Sequence, residues 1–164
     1  RGIERDDIER GIMNEKIALL IVLLGIVLIA GCVQQFSQNE IQFTDMNEKL
    51  TCVGPFDLRD KEFIINSNEE YKKLSDYKSS SPRCKDFELP SIDFSQYTLL
   101  GKYAQGVGCS IDFVKKVYKD DSNKKIAYSI KVVEGGNCEK LGASMNWILI
   151  PKVPSRYAVE FNVK

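Results

Sequence analysis

Five cysteines and no histidine limit the chemistry open to this chain. The cysteines are Cys32, Cys52, Cys84, Cys109 and Cys138. Without histidine, a serine or cysteine nucleophile would need another base, and no lysine stands out from the surface lysines to serve as one. Gly106-Val107-Gly108-Cys109-Ser110 has the outline of a nucleophile turn. The same glycines give half of a disulfide the tight bend it needs, and that is the preferred reading. Four thiols could hold zinc, but no C-x-x-C spacing is present, so no metal is expected. Asp93 with Asp112, or Asp120 with Asp121, could act as a carboxylate pair or a calcium loop. Asp120-Asp121-Ser122-Asn123 lacks the glycine and terminal glutamate of an EF-hand and reads as turn chemistry. The expectation is a chain with no catalytic residue, no metal and no cofactor, which is not an enzyme.

Cys32 stands apart from the other four because of what precedes it. From Ile17 to Gly31 every residue is apolar or glycine. As a helix this run would span about 22 Å, short of the roughly 30 Å hydrocarbon core, and closer in length to the apolar core of an export signal. Leu28-Ile29-Ala30-Gly31-Cys32 resembles the lipobox of prokaryotic lipoproteins. In that family the small residues enter the signal-peptidase site and the following thiol carries diacylglycerol, a role that falls on Cys32 here. Residues 13–31 are therefore expected to be a lipoprotein signal peptide; the alternative is an uncleaved anchor helix with Cys32 an ordinary thiol. Either places the rest of the chain at the cell membrane, on its extracytoplasmic side. Arg1 to Ile12 precede Met13 and are read as an over-extended start or a remnant outside the fold.

With Cys32 assigned to lipid, the remaining four cysteines lie on an oxidising side, where disulfides persist. Four cysteines allow three pairings. Cys52–Cys84 and Cys109–Cys138 are expected, because each closes a loop of about thirty residues and contributes roughly 3–4 kcal/mol on the loop-entropy model. The chain beyond Cys32 suits one domain with a single core. Net charge is zero, from 23 basic and 23 acidic residues, so no bulk attraction to a polyanion is implied. From Thr98 onward 11 Lys or Arg face 6 Asp or Glu, a bias that fits lysines blunting strand edges better than an anion site. No basic patch interleaved with aromatics is present, and nucleic acid is not an expected partner.

The elements that must position the cysteines follow from pattern. Residues 32–50 are polar and amide-rich and read as acylated cysteine and tether, with a short strand around Ile41 to Phe43 as the exception. The globular domain is taken to run over residues 51–164. Ser67 with Glu70 forms a capping box, predicting a helix to about Tyr77 with Tyr71 and Leu74 facing the core. From Lys78 to Pro90 the chain is irregular and would depend on the Cys52–Cys84 bridge for order. Tyr97 to Gln105 predicts a strand, as does Cys109 to Lys119. Ile126, Tyr128, Ile130 and Val132 then recur at period two. A polar turn between the last two runs makes an antiparallel hairpin with Cys109 and Cys138 at its open end. Met145 to Lys152 is apolar on both faces, with Trp147 and Leu149 opposite Ile148 and Ile150, predicting a strand covered on both sides. Trp147 reads as core. Tyr157, Val159, Phe161 and Val163 alternate in a last strand. The predicted class is α+β: one short helix with a mostly antiparallel sheet of five or six strands, stapled by disulfides.

Several of these landmarks occur together in one known family. The segment from Phe63 onward resembles the C-terminal domain of PrcB-like protease-complex stability proteins. It shares Ser67-Asn68-Glu69-Glu70-Tyr71 entering a helix, Ile92-Asp93-Phe94-Ser95, a Leu-Leu-Gly strand, and Ile148-Leu149-Ile150-Pro151-Lys152 before a final strand. Cys138 departs from the pattern, lying where the family has a glycine-rich bend. The resemblance implies a small β-rich domain on an exported lipoprotein that supports a surface protease complex, and it carries over no catalytic residues. The expected function is a non-catalytic, membrane-anchored lipoprotein that binds or stabilises a surface or secreted protein. The alternatives are a protease inhibitor acting through Gly135 to Leu141 and a small-ligand-binding lipoprotein.

Overall fold

Four strands of eleven residues each form the frame of the molecule: β4 (Tyr97–Val107), β5 (Ser110–Asp120), β6 (Lys125–Gly135) and β7 (Leu141–Pro151). In the computed structural model, which describes residues 38–54 and 58–164, shorter strands complete two sheets. These are β1 (Gln38–Glu40), β2 (Thr44–Asp45), β3 (Glu62–Ile65) and β8 (Ala158–Val163). One sheet has the order β1-β5-β6-β8 and the other β2-β7-β4-β3. All pairings are antiparallel except β6 with β8. Between those two the chain leaves the first sheet, runs back along β7 in the second, and returns, so β8 points the same way as β6.

Among the described residues, eight strands in two sheets correct the expected single sheet of five or six. Two of the additional strands, β1 and β2, lie in the stretch read as a tether, and they are too short for alternation to show. That stretch also contributes core: Met46 and Leu50 are buried, Met46 N–H donates to the Trp147 carbonyl (2.9 Å) and Trp147 N–H donates to Asn47 Oδ1 (2.6 Å). Among the described residues strand pairing thus starts at Gln38, ahead of the boundary expected at residue 51. The apolar run, the preceding residues 1–12 and Cys32 lie outside the described residues. Among the described residues no helix is long and apolar enough to cross a membrane.

The β2-β7-β4-β3 sheet is covered on both faces, and this explains the continuous apolar reading of β4 and β7. Leu99, Tyr103, Met145, Trp147 and Leu149 pack against a layer of helix and loop that supplies Leu50, Leu58, Tyr71, Leu74 and Phe94. Leu100, Ala104, Ile148 and Ile150 pack against Val117, Ile126, Tyr128 and Ile130 of the other sheet. Successive strand residues point to opposite faces, so one strand feeds two cores.

Helix α1 spans Asn68–Lys72 and continues as a 3₁₀ turn over Lys73–Tyr77, so the predicted helical stretch has the expected ends with a tighter second half. Ser67 Oγ accepts from Glu70 N–H (3.2 Å), while Glu70 Oε2 accepts from Asn66 N–H (2.8 Å), one residue before the cap. The irregular loop that follows is held by more than its bridge. Ser79 N–H donates to the Cys52 carbonyl (2.8 Å), and Lys78 Nζ donates to the carbonyls of Lys85 and Phe87. Cys52 and Cys84 are bonded, with Cα atoms 5.5 Å apart.

Candidate functional site

The candidate site is the end of the sheets at which the chain crosses twice between them. From β4 the chain passes through Gly108 and Cys109 into β5, and from β6 through residues 136–140 into β7. Gly106 and Gly142 face each other across β4 and β7. A Cβ on Gly142 would lie 2.6 Å from Ile111 Cδ1, and one on Gly106 would lie 2.7 Å from Val132 Cγ1. Side chains of one sheet thus lie directly over the backbone of the other, and only glycine permits so close an approach.

The two crossings are tied to each other at several points. Gly108 N–H donates to the Lys140 carbonyl (3.0 Å), and Cys109 N–H to the Gly135 carbonyl (2.7 Å). Glu134 Oε1 accepts from Val107 N–H (2.7 Å). The Cys109–Cys138 disulfide closes the crossing, with Cα atoms 4.8 Å apart. Register explains the pairing: Ser110 lies opposite Gly135, so the residues just beyond the hairpin mouth come together. Gly136 has φ +75°, and a Cβ there would lie 2.6 Å from Cys109 Sγ, so both its conformation and its space demand glycine.

This pinned tip presents apolar side chains to solvent. Val107 and Leu141 lie opposite each other at the strand ends and are 48% and 52% exposed. Residues Gly136 to Lys140 are exposed beside them. A rigid, exposed apolar pair has little conformational freedom left to lose when a partner covers it.

The residues considered for chemistry from sequence are dispersed. Cys109 is oxidised in its bridge, so the glycine turn holds no thiol nucleophile. Asp93 belongs to the turn before β4, where it accepts from Ser95 and Gln96, whereas Asp112 is exposed on β5. Asp120 accepts from Ser122 and Asn123 of the hairpin turn, and these bonds, the Ser122 hydroxyl foremost, hold its carboxyl down at about 2. Asp121 accepts from the Tyr157 hydroxyl and pairs with Lys119 (3.0 Å). Asp93, Asp120 and Asp121 therefore each have a local structural task, and Asp112 lies apart from all three. Among the described residues no cluster of His, Cys, Asp or Glu is arranged to hold a metal. Trp147 is buried, as its core reading requires.

Buried polar groups are likewise structural. Burial pushes the Tyr71 hydroxyl up to about 12, and it has no hydrogen-bond partner among the described residues. The Tyr128 hydroxyl is raised further, by burial and then by the charge of Asp45, and donates to the Asn146 carbonyl (3.0 Å). Lys115 points between the sheets to pair with Asp45. A concavity of about 400 Å³ lies on the outer face of the β1-β5-β6-β8 sheet, lined by Val114, Lys116, Tyr118, Ser129, Lys131 and Lys164. It is a surface dent with lysines at its rim.

The motifs behind the family resemblance meet away from the tip. Lys152 Nζ donates to the carbonyls of Asn66 (2.9 Å) and Phe94 (2.8 Å), and Thr98 Oγ1 bridges Asn66 Oδ1 and Val153 N–H. They are packing and clamping residues. Sequence reasoning found the tip's cysteines and the Gly135 to Leu141 loop. It missed Val107 and Leu141 as an exposed pair, whose signal was an apolar residue at each of two strand ends flanking the glycines. No family model, curated protein or solved structure matches this chain.

Proposed function

We propose that this chain is a membrane-anchored extracytoplasmic lipoprotein that binds or stabilises a surface protein through its disulfide-pinned tip and performs no catalysis itself. The observation that carries the reading is the position of that tip. Gln38, where the described chain enters, lies opposite Asp120 at one end of β5, and the tip lies beyond Ser110 at the other. Eleven strand residues span about 35 Å. A chain moored at Cys32 would therefore hold Val107 and Leu141 at the end away from its entry. The lipobox-like stretch ending at Cys32 and two disulfides in one small domain support the anchor and its compartment. The resemblance to PrcB-like domains supports a protease complex as the partner.

The test is recovery of a partner from detergent-solubilised membranes. The wild-type chain is expected to retain one membrane or secreted protein reproducibly, and Val107→Asp or Leu141→Asp to lower its recovery about tenfold, the effect of losing an interface anchor. Equal recovery by all three would overturn the tip as the binding site. In parallel, Cys32→Ser is expected to release the protein or block its processing. Unchanged mass and membrane retention would count against acylation.

A second reading rests on the loop itself. Gly136 to Lys140 is exposed, and the Cys109–Cys138 bridge and the Lys140 carbonyl restrain it. Such a loop suits insertion into a protease cleft. Loss of inhibition on deleting the loop, with no stable complex recovered from membranes, would favour this reading.

A further inference from the structure

Among the described residues the β1-β5-β6-β8 sheet is incomplete along one side. β5 has eleven residues, but β1 pairs only with Tyr118, Lys119 and Asp120. Ile41 N–H then donates to the Val117 carbonyl (2.9 Å), and the chain departs to the other sheet as β2. From Ser110 to Lys116 no described strand lies beside β5 on this edge. Backbone groups alternate between the two edges of a strand. The Val117 carbonyl faces β1, so the N–H and C=O groups of Lys115, Phe113 and Ile111 face the same open side. Their side chains are half-buried, whereas Asp112, Val114 and Lys116 are exposed on the outer face. Val114 is 47% exposed, between Asp112 and Lys116 on that face.

We infer that this open edge pairs with the same edge of a second copy, antiparallel, with the two-fold axis passing through Val114. In that register Asp112 faces the second copy's Lys116, Lys116 faces its Asp112, and Val114 faces its Val114. Phe113 and the second copy's Lys115, and the reverse, become the hydrogen-bonded pairs. The outer face thus reads Asp-Val-Lys against Lys-Val-Asp, so both charges and the exposed valine are matched by one symmetric contact. Moving the axis to Phe113 would place Asp112 against Val114 and Ser110 against Lys116, leaving the charges unmatched. Lys116 already lies 3.6 Å from Glu40 of its own chain, and the second copy's Asp112 adds a second carboxylate to the same ammonium. The contact is short, bounded by β1 of each copy, so the dimer is weak in dilute solution and favoured where copies are concentrated in a membrane plane. It does not depend on the tip: loss of partner recovery and loss of pairing are separate outcomes.

The test uses the full chain in membranes and in detergent. Opposed residues of a non-hydrogen-bonded antiparallel pair have Cα atoms about 4.5 Å apart, within disulfide reach. Val114→Cys is expected to give a reducible dimer under mild oxidation, whereas the parent chain and Val107→Cys at the exposed tip do not. In the Val114→Cys background, Asp112→Lys and Lys116→Asp each turn two opposed pairs into two like-charge pairs and are expected to lower the dimer fraction about tenfold. Co-expressing those two variants with different tags restores matched charges and is expected to restore cross-linking between differently tagged chains. Thermal melts establish that each variant is folded. Absence of a Val114→Cys dimer, a dimer indifferent to either charge change, or no rescue in the mixed pair would overturn the inference.

Discussion

Gly101 lies in a row of three strands, with Phe63 of β3 on one side and Trp147 of β7 on the other. The two rings close over it with centroids 5.1 Å apart, and a Cβ on Gly101 would lie 2.1 Å from the indole. Gly101→Ala must displace a buried tryptophan, and a loss of about 3 kcal/mol is expected, in the range of core overpacking. Urea unfolding measures it, and a shift in Trp147 fluorescence would report the displaced ring. Leu-Leu-Gly was conspicuous in sequence, but nothing in it named the aromatic that requires the glycine. Asp120 is the opposite case, since its turn partners are its immediate neighbours. Its carboxyl is lowered from 3.8 to about 2, so the stabilisation from its ionised form is present above about pH 4 and lost as pH falls through about 2. Asp120→Ala is therefore expected to lower the melting temperature at neutral pH, with the difference from wild type shrinking as pH falls through and below about 2. A carboxyl NMR titration checks the value directly.

At the scale of elements, the β5-β6 hairpin was legible because two alternating runs flank a polar turn. Its register then brings Cys109 to Cys138. Replacing both cysteines by alanine is expected to cost about 3–4 kcal/mol and to speed amide exchange at Gly108 and Cys109 while the middle of the hairpin stays protected. Denaturant melts and hydrogen exchange separate the two effects. The helix was legible from its capping box, and its change to a 3₁₀ turn after Lys72 was not, because periodicity at that length does not distinguish the two windings. For β1 and β2 the pattern offered one short strand around Ile41 to Phe43, whereas the chain forms a strand on each side of those residues. Their strand character comes from the edges of β5 and β7 that they cover, edges that exist only once the long strands have folded.

For the whole molecule, the consequence is that the folding unit begins before residue 51. A chain of residues 51–164 lacks Met46 and Leu50, each buried, as well as the strands over β5 and β7. Losing one large core side chain costs about 2–5 kcal/mol, so losing two approaches the whole stability of a small domain, about 5–15 kcal/mol. Residues 38–164 are expected to give a cooperative melt and residues 51–164 none, by circular dichroism.

What the sequence alone determined is local: turn chemistry, the helix cap, the alternation of the last strands and the two-sided apolar character of β7. Each depends on residues a few positions apart, whose geometry the backbone period dictates. The tertiary structure decided how eight strands divide between two sheets, which glycines lie under a neighbouring side chain, and that Val107 and Leu141 meet at one exposed end. Those facts depend on residues distant in the chain that become neighbours only when the two cores close around the central sheet.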